Sequence, residues 1–369
     1  MLRILAHKKV VIKPIIRCGH VAFKPHTSSI WSLRWVVFSH LVSEYVGRFA
    51  SPMYMTVWVT NKKLRTVIMA NRLKRTALFI MIGFAAMATN AETRVIMLGT
   101  GTPVPSAERA GSGIAVIYND EAYLFDVGHG TVQRAIQAWK AMDAPELNPP
   151  MIKNVFLSHL HSDHTLDYSE LAATYWWRRD APLQAYGPKG LQDMTDGYYQ
   201  MQNTDISLRI NGNQPVRDIN MYKVAVTEIP KDGIVFDSND VTVEAFSVTH
   251  GDIDPAYGYK ITTPDKTIVF SGDTTYNKNL IDKAKGADIL IHEVISEAGW
   301  RALDKDWQHY HHSSHTLTSE LAKVANETKP DLLVLTHVLH YGAPIETAYD
   351  EVTALYKGKV VLANDLDEY

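Results

Sequence analysis

The sequence predicts a layered α/β fold, and three observations carry that expectation. From Glu92 onward, short β-branched and apolar runs alternate with segments of helical spacing. The composition, 46% hydrophobic and 21% charged over 369 residues, is globular and excludes disorder and fibres. Finally, the residues able to do chemistry cluster where the apolar runs end, as in folds that carry their sites on strand ends.

In order along the chain, strands are predicted over 94–98, 114–118, 123–126, 155–158, 241–248, 258–262, 267–271, 289–293 and 332–336. Each is a short apolar or β-rich run. Helices are predicted over 132–142, 166–177, 280–285, 318–327 and 345–356, where apolar residues recur at helical spacing. The stretch 193–233 reads as irregular, and no repeat or low-complexity segment is present. The elements make one domain over 92–369.

The amino-terminal quarter reads differently. Residues 1–75 hold 14 lysines and arginines against one acid, Glu44, leaving 23 bases and 39 acids, a net charge of −16, from Thr76 onward. Met69 opens a basic stretch through Arg75, and an uncharged apolar run over 78–88 follows, with small residues at Ala86, Ala88 and Ala91. This is the pattern of a signal peptide over 69–91, too short to span a bilayer, so the expected location is periplasmic or secreted with no stable membrane span after cleavage. Residues 1–68 are then a basic leader, read as the product of a misassigned start. A transit segment is the alternative.

One cysteine, Cys18, excludes a disulfide framework, a four-cysteine zinc site and a chain-held iron–sulfur cluster. The strongest chemical signal is Ser158-His159-Leu160-His161-Ser162-Asp163-His164, three imidazoles and a carboxylate at the end of an apolar run. These are ligands for zinc, manganese or iron. His250, Asp273 and His337 each close a further apolar run and can lie at the same edge of the sheets. The glycines of Leu98-Gly99-Thr100-Gly101-Thr102-Pro103 make tight turns, because a dinucleotide cradle would need a third glycine opening a helix.

With His-x-His-x-Asp-His followed by His250, Asp273 and His337, the chain from Thr93 to about Leu366 resembles the metallo-β-lactamase fold superfamily. The resemblance implies a four-layer αββα sandwich with a dinuclear centre at one edge. It places His159, His161 and His250 on one metal, Asp163, His164 and His337 on the other, and Asp273 between them; two divalent ions, zinc with manganese or iron as alternatives, are the implied cofactors. The first glycine loop, Phe125-Asp126-Val127-Gly128, the run Tyr186 to Gly190 and the pair His315-Thr316 resemble the branch that contains ribonuclease Z, the tRNA 3′-processing nuclease, and secreted hydrolases of arylsulfatase and phosphodiesterase type. In that branch His315 occupies a catalytic place, with His311 and His312 as its competitors.

A bridging pair of ions lowers the pKa of water from about 15.7 toward about 7, and Asp163 and His315 are the expected catalytic side chains beside them. His250 and Asp273 are only 23 positions apart, too few for the tRNA-gripping arm of bacterial nucleases in that branch. The acidic chain also offers few cations to a polyanion, Arg178-Arg179 being the one local candidate. The expected activity is therefore hydrolysis of a small ester, an aryl sulfate first, with a phosphodiesterase or ribonuclease Z-like endonuclease as the alternative and a lactonase behind both. Nucleic acid is not an expected partner, and a homodimer is the one assembly entertained. Trp176, Trp177, Trp300, Trp307 and Tyr310 are candidate pocket walls, the first two with a competing place in the core. A decayed binding protein would have lost ligands that are all present here, and a one-iron dioxygenase would need fewer.

Overall fold

The computed structural model describes residues 92–369; the leader 1–68 and the signal-peptide segment 69–91 lie outside the described residues. Two sheets face each other. The first is antiparallel over β1 (Arg94–Gly99), β2 (Gly113–Tyr118) and β3 (Glu121–Phe125), then parallel through β4 (Asn154–Phe156), β5 (Leu183–Gly187) and β6 (Val224–Glu228), in that spatial order. In the second, β7 (Gly233–Ser238), β8 (Val241–His250), β9 (Ile253–Thr262) and β10 (Thr267–Phe270) form an antiparallel meander. From β10 the sheet runs parallel through β11 (Ile289–Ile295), β12 (Leu332–Leu339) and β13 (Val360–Leu362).

Strand alternation sorts the apolar residues into three layers. Val95, Met97, Val116, Phe125 and Phe156 turn inward and meet Val243, Tyr259, Ile261, Phe270 and Ile291 between the sheets. Their neighbours Ile96, Leu98, Leu124, Val155 and Leu157 turn outward onto α1 (Thr131–Ala141) and the helices Tyr168–Ala173 and Leu191–Met201. On the far side, Val269, Leu290, Leu333 and Leu335 are covered by the helices Lys278–Ala284, Thr318–Thr328 and Glu346–Leu355. This is the four-layer αββα sandwich that the sequence resemblance implies.

Several local readings need correction. The segment read as irregular carries two helices, Leu191–Met201 and Asn203–Asn211, and then β6. The second helix buries only Ile206, so its apolar period is too weak to see in sequence. The helix read over 166–177 is broken: Ser162–Thr165 and Tyr168–Ala173 are separate, and Tyr175 adopts a left-handed φ of 51° before a 3-10 turn at Trp176–Arg178. Strands β5, β7 and β13 were not expected: β5 has no β-branched residue, β7 has two and is half-exposed, and β13 is only three residues long. The helix Lys305–Ser314 was also missed; its Trp, Tyr, His and Ser residues are poor helix formers, and it starts because the Asp304 carboxylate accepts from the backbone N–H groups of Asp306 and Trp307.

Phe156 is fully buried, stacked on Phe125 at 5.0 Å and on Tyr186 at 4.8 Å between the two sheets. Phe156→Ala is expected to cost about 3–5 kcal/mol, read as a lowered urea midpoint with an unchanged slope.

Candidate metal centre

The catalytic edge is made by the ends of strands from both sheets. His159 and Asp126 follow β4 and β3, His250 ends β8, Asp273 follows β10, and His337 lies in β12. Two irregularities aim the later histidines. The pairing of β11 with β12 slips between Glu293 and Val294, leaving His337 as the extra residue with a left-handed φ of 45°. The register of β8 with β9 also shifts between Val248 and His250, with the extra residue on β9, where 254 and 255 face the single residue 249. Close backbone packing holds the histidine-rich turn: a Cβ on Gly128 would stand 2.0 Å from the Asp163 carbonyl oxygen, so only glycine fits beneath the short helix Ser162–Thr165.

The buried Asp126 carboxylate fixes two of the ligand rings. Its Oδ2 accepts from His164 Nδ1 at 2.7 Å and from the Ser158 hydroxyl at 2.8 Å, while Oδ1 accepts the Ser158 N–H at 2.7 Å. The Ser158 oxygen in turn accepts from His159 Nδ1 at 3.0 Å. His250 Nδ1 donates to the Ser314 carbonyl at 2.7 Å. In all three rings the proton therefore sits on Nδ1, and Nε2 points into the site with its lone pair bare.

These bare nitrogens converge. His159 Nε2 and His250 Nε2 each lie 3.0 Å from His161 Nδ1, making a three-nitrogen set. Beside it, Asp163 Oδ2 stands 3.0 Å from His337 Nε2 and 3.4 Å from His164 Nε2. Asp273 Oδ2 lies between the groups, 3.3 Å from His164 Nε2, 3.5 Å from His337 Nε2 and 3.9 Å from His250 Nε2. His164 Nε2 is buried with no hydrogen-bond partner. Lone pairs this close repel unless cations lie among them, and imidazole nitrogen with carboxylate oxygen is the donor set of divalent zinc, manganese or iron. The residues fit two divalent ions, with Asp273 placed to touch both. All seven ligands named from the sequence meet here.

His315 lies at the rim of this cluster, its Nδ1 3.9 Å from Asp273 Oδ2 and 3.4 Å from Glu293 Oε2. Burial holds the imidazole at a pKa of about 4, so it is neutral at pH 7. Glu293 was not anticipated from the sequence. It is buried in β11, and its Oε1 accepts backbone N–H groups of Thr316 and Thr274, which turns Oε2 toward His315. Burial, with the negative Asp273 nearby, raises its carboxyl well above the ordinary range. Its only sequence signal is an acid ending the apolar run Ile289 to His292. Asp126 was seen in the sequence as part of a loop motif, without the anchoring role described above. Of the competitors for the place of His315, His311 is held by the Tyr341 hydroxyl at 2.8 Å and His312 is exposed beside Glu320.

The aromatic candidates divide. Trp307 and Tyr310 line a cavity of about 580 Å³ above the ligands. Trp176 is fully buried in the core, Trp177 packs under the Arg209 guanidinium at 3.6 Å, and Trp300 packs beside Ile295 and Leu317; none of these three lines the cavity. Arg179 is no phosphate-binding group: it is buried and donates to the carbonyls of Ile152 and Leu171 at 2.6 and 2.8 Å. Among the described residues, no helix is long and apolar enough to cross a membrane.

Comparison with known proteins agrees with this architecture. A family model described as the beta-lactamase superfamily domain matches residues 117–338. Ribonuclease Z of Mycobacterium marinum is 30% identical over 284 residues, spanning 74% of this chain and 96% of that protein. Ribonuclease Z of Mycolicibacterium gilvum is 30% identical over 251 residues, 66% of this chain and 83% of its own length. Among solved structures, the metallo-beta-lactamase fold protein YhfI from Bacillus subtilis superposes with a TM-score of 0.58 at 18% identity, covering 75% of this chain and 98% of that one. Human tRNase Z, short form, gives 0.54 at 23% identity, with the same two shares.

Two substitutions test the centre. Asp273→Ala should leave a folded protein that retains less than one divalent ion per chain after gel filtration, against two for the wild type, as read by elemental analysis. Asp126→Asn keeps the shape but aims an N–H at one of the four donors around the carboxylate, and should weaken zinc binding about 10- to 100-fold in a chelator competition.

Proposed function

We propose, from the fact that the chain belongs to the β-lactamase superfamily and to its branch containing ribonuclease Z, that it is a metal-dependent hydrolase of phosphodiester bonds, with two zinc ions, manganese or iron being the alternatives. One observation carries the reading: seven convergent ligands stand beside His315 in a chain whose ribonuclease Z relative is matched over 96% of its length. Ions in this centre would supply Lewis acidity and a water acidic enough to attack at neutral pH. The chain's own groups do the rest. The Asp163 and Asp273 carboxylates orient the attacking water and accept its proton. His315 lines the cavity with its Nδ1 3.4 Å from Glu293 Oε2, and as a neutral imidazole it donates a hydrogen bond to the departing oxygen.

A small ester rather than RNA is the favoured substrate, and the connection between His250 and Asp273 supports this. Those residues are joined by a two-residue turn, Gly251-Asp252, then β9 and β10, with no arm between them. Residues 92–369 also carry 23 bases against 39 acids, which opposes a polyanion. No side chain of the centre distinguishes phosphorus from sulfur, so an aryl sulfate stays in the comparison as the second ester. Export follows the basic and apolar pattern over 69–91 and forms part of the proposal.

The deciding measurement sets bis(4-nitrophenyl) phosphate, 4-nitrophenyl sulfate and a pre-tRNA side by side with added zinc or manganese. Turnover of the phosphodiester above the sulfate is expected. Efficient 3′ cleavage of pre-tRNA with neither small ester consumed would instead establish the endonuclease. His315→Ala should slow a diester of a poorly acidic alcohol at least tenfold more than a nitrophenyl diester, because nitrophenoxide departs with little help. Equal losses would make His315 a positioning group.

A further inference from the structure

We infer that the substrate presents one flat apolar group, an aryl ring, on the leaving side of a single anionic ester, and that Trp307 and Tyr310 are the specificity-determining residues that hold it. The inference rests on the hydrolase reading and names the substrate class of the same site.

The cavity above the metal ligands has about 580 Å³, room for a small molecule. His161, Asp163, His250 and Asp273 line it at the metal side, and the helix Lys305–Ser314 lines it opposite. From that helix Trp307, Tyr310 and His311, three and four residues apart, share one face. The Trp307 and Tyr310 rings stand at 89° with centroids 5.7 Å apart, and Trp307 lies nearly parallel to His311, 21° at 5.5 Å. The Tyr341 hydroxyl bonds to the His311 ring and fixes that side. Together they form a right-angled aromatic corner, a shape that meets a planar ring with one face and one edge.

Exposure and charge both point to what occupies it. Trp307 is 53% exposed, Tyr310 46% and Val104 64%, and all three open onto this one cavity. Large apolar side chains left in water around one concave site mark a surface that binds an apolar ligand. Among the described residues lining the cavity there is no lysine or arginine. The charge of one ester can be met by ions in the ligand cluster, whereas the flanking phosphates of a polynucleotide would find no lysine or arginine within this cavity. The corner is also on the side of His315, whose ring centroid is 6.0 Å from that of His311. The group resting there is therefore the one whose oxygen His315 serves.

The test uses the zinc-loaded full chain and two methyl phosphodiesters, one of phenol and one of hexafluoroisopropanol, alcohols of comparable acidity that differ in flatness. The wild type should favour the phenyl ester in kcat/KM by about tenfold or more. In Trp307→Ala and in Tyr310→Ala that ratio should fall toward one, chiefly through KM; both residues are half exposed, so the variants should keep the wild-type circular dichroism and zinc content. A second readout needs no turnover: phenylphosphonate should bind about tenfold tighter than methylphosphonate by calorimetry, and the difference should vanish in both variants. If no phosphodiester is hydrolysed but this binding preference appears and is lost on substitution, the hydrolase reading fails and the aromatic corner stands. Equal binding of the two phosphonates by the wild type, a phenyl preference that survives both substitutions, or an oligoribonucleotide cleaved with higher kcat/KM than the phenyl ester would each overturn the inference.

Discussion

Everything at this edge depends on one electrostatic constraint: three imidazole nitrogens within 3.0 Å steps, and a pair of carboxylates beside them, aim lone pairs at one another inside a buried space. Such an arrangement is tolerable only with positive charge among the donors. Asp126 is the opposite pole of that constraint. Its single carboxylate takes the outward protons of His164 directly and of His159 through Ser158, so the rings cannot turn their bare nitrogens away. Replacing the geometry by ordinary hydrogen bonds would require repacking the ends of β3 and β4 together.

The fold provides this because the strand ends of two sheets meet at one edge. The central parallel strands deliver their carboxyl-terminal residues to the same place, His159 from the first sheet and Asp273 and His337 from the second. The apolar layer between the sheets sets the distance across which these side chains reach, which is why Phe156 and its aromatic neighbours matter to a site they do not touch. The irregular pairing at His337 and His250 turns two residues toward the cluster at the expense of ladder regularity.

The second determinant is the contrast between the floor and the walls. The floor is a concentrated set of groups able to bind metal, and the facing wall is aromatic, with no lysine or arginine among the described residues lining the cavity. On the function proposed above, a substrate of this site carries one charged centre at the ligands and little charge beyond it.

The sequence by itself determined the family and the layered α/β class, and it singled out the seven residues that converge at the edge, because His-x-His-x-Asp-His is a local pattern and His250, Asp273 and His337 each close an apolar run. It also singled out His315, through the His-Thr pair, as a residue to find near the cluster, and the structure places it at the rim. The tertiary structure alone decided the rest. Glu293 looks like any acid at the end of a strand until β11 places it 3.4 Å from His315. Asp126 is one residue of a loop motif until four donors converge on it. Trp176, Trp177 and Trp307 are equivalent in composition, and only packing puts the first in the core, the second under Arg209 and the third above the ligands. Arg179, which a charge count offers to phosphate, spends its donors on buried carbonyls. Local pattern encodes which residue types are present and which faces are apolar; the roles of single side chains are set by long-range contacts, which no window of the chain contains.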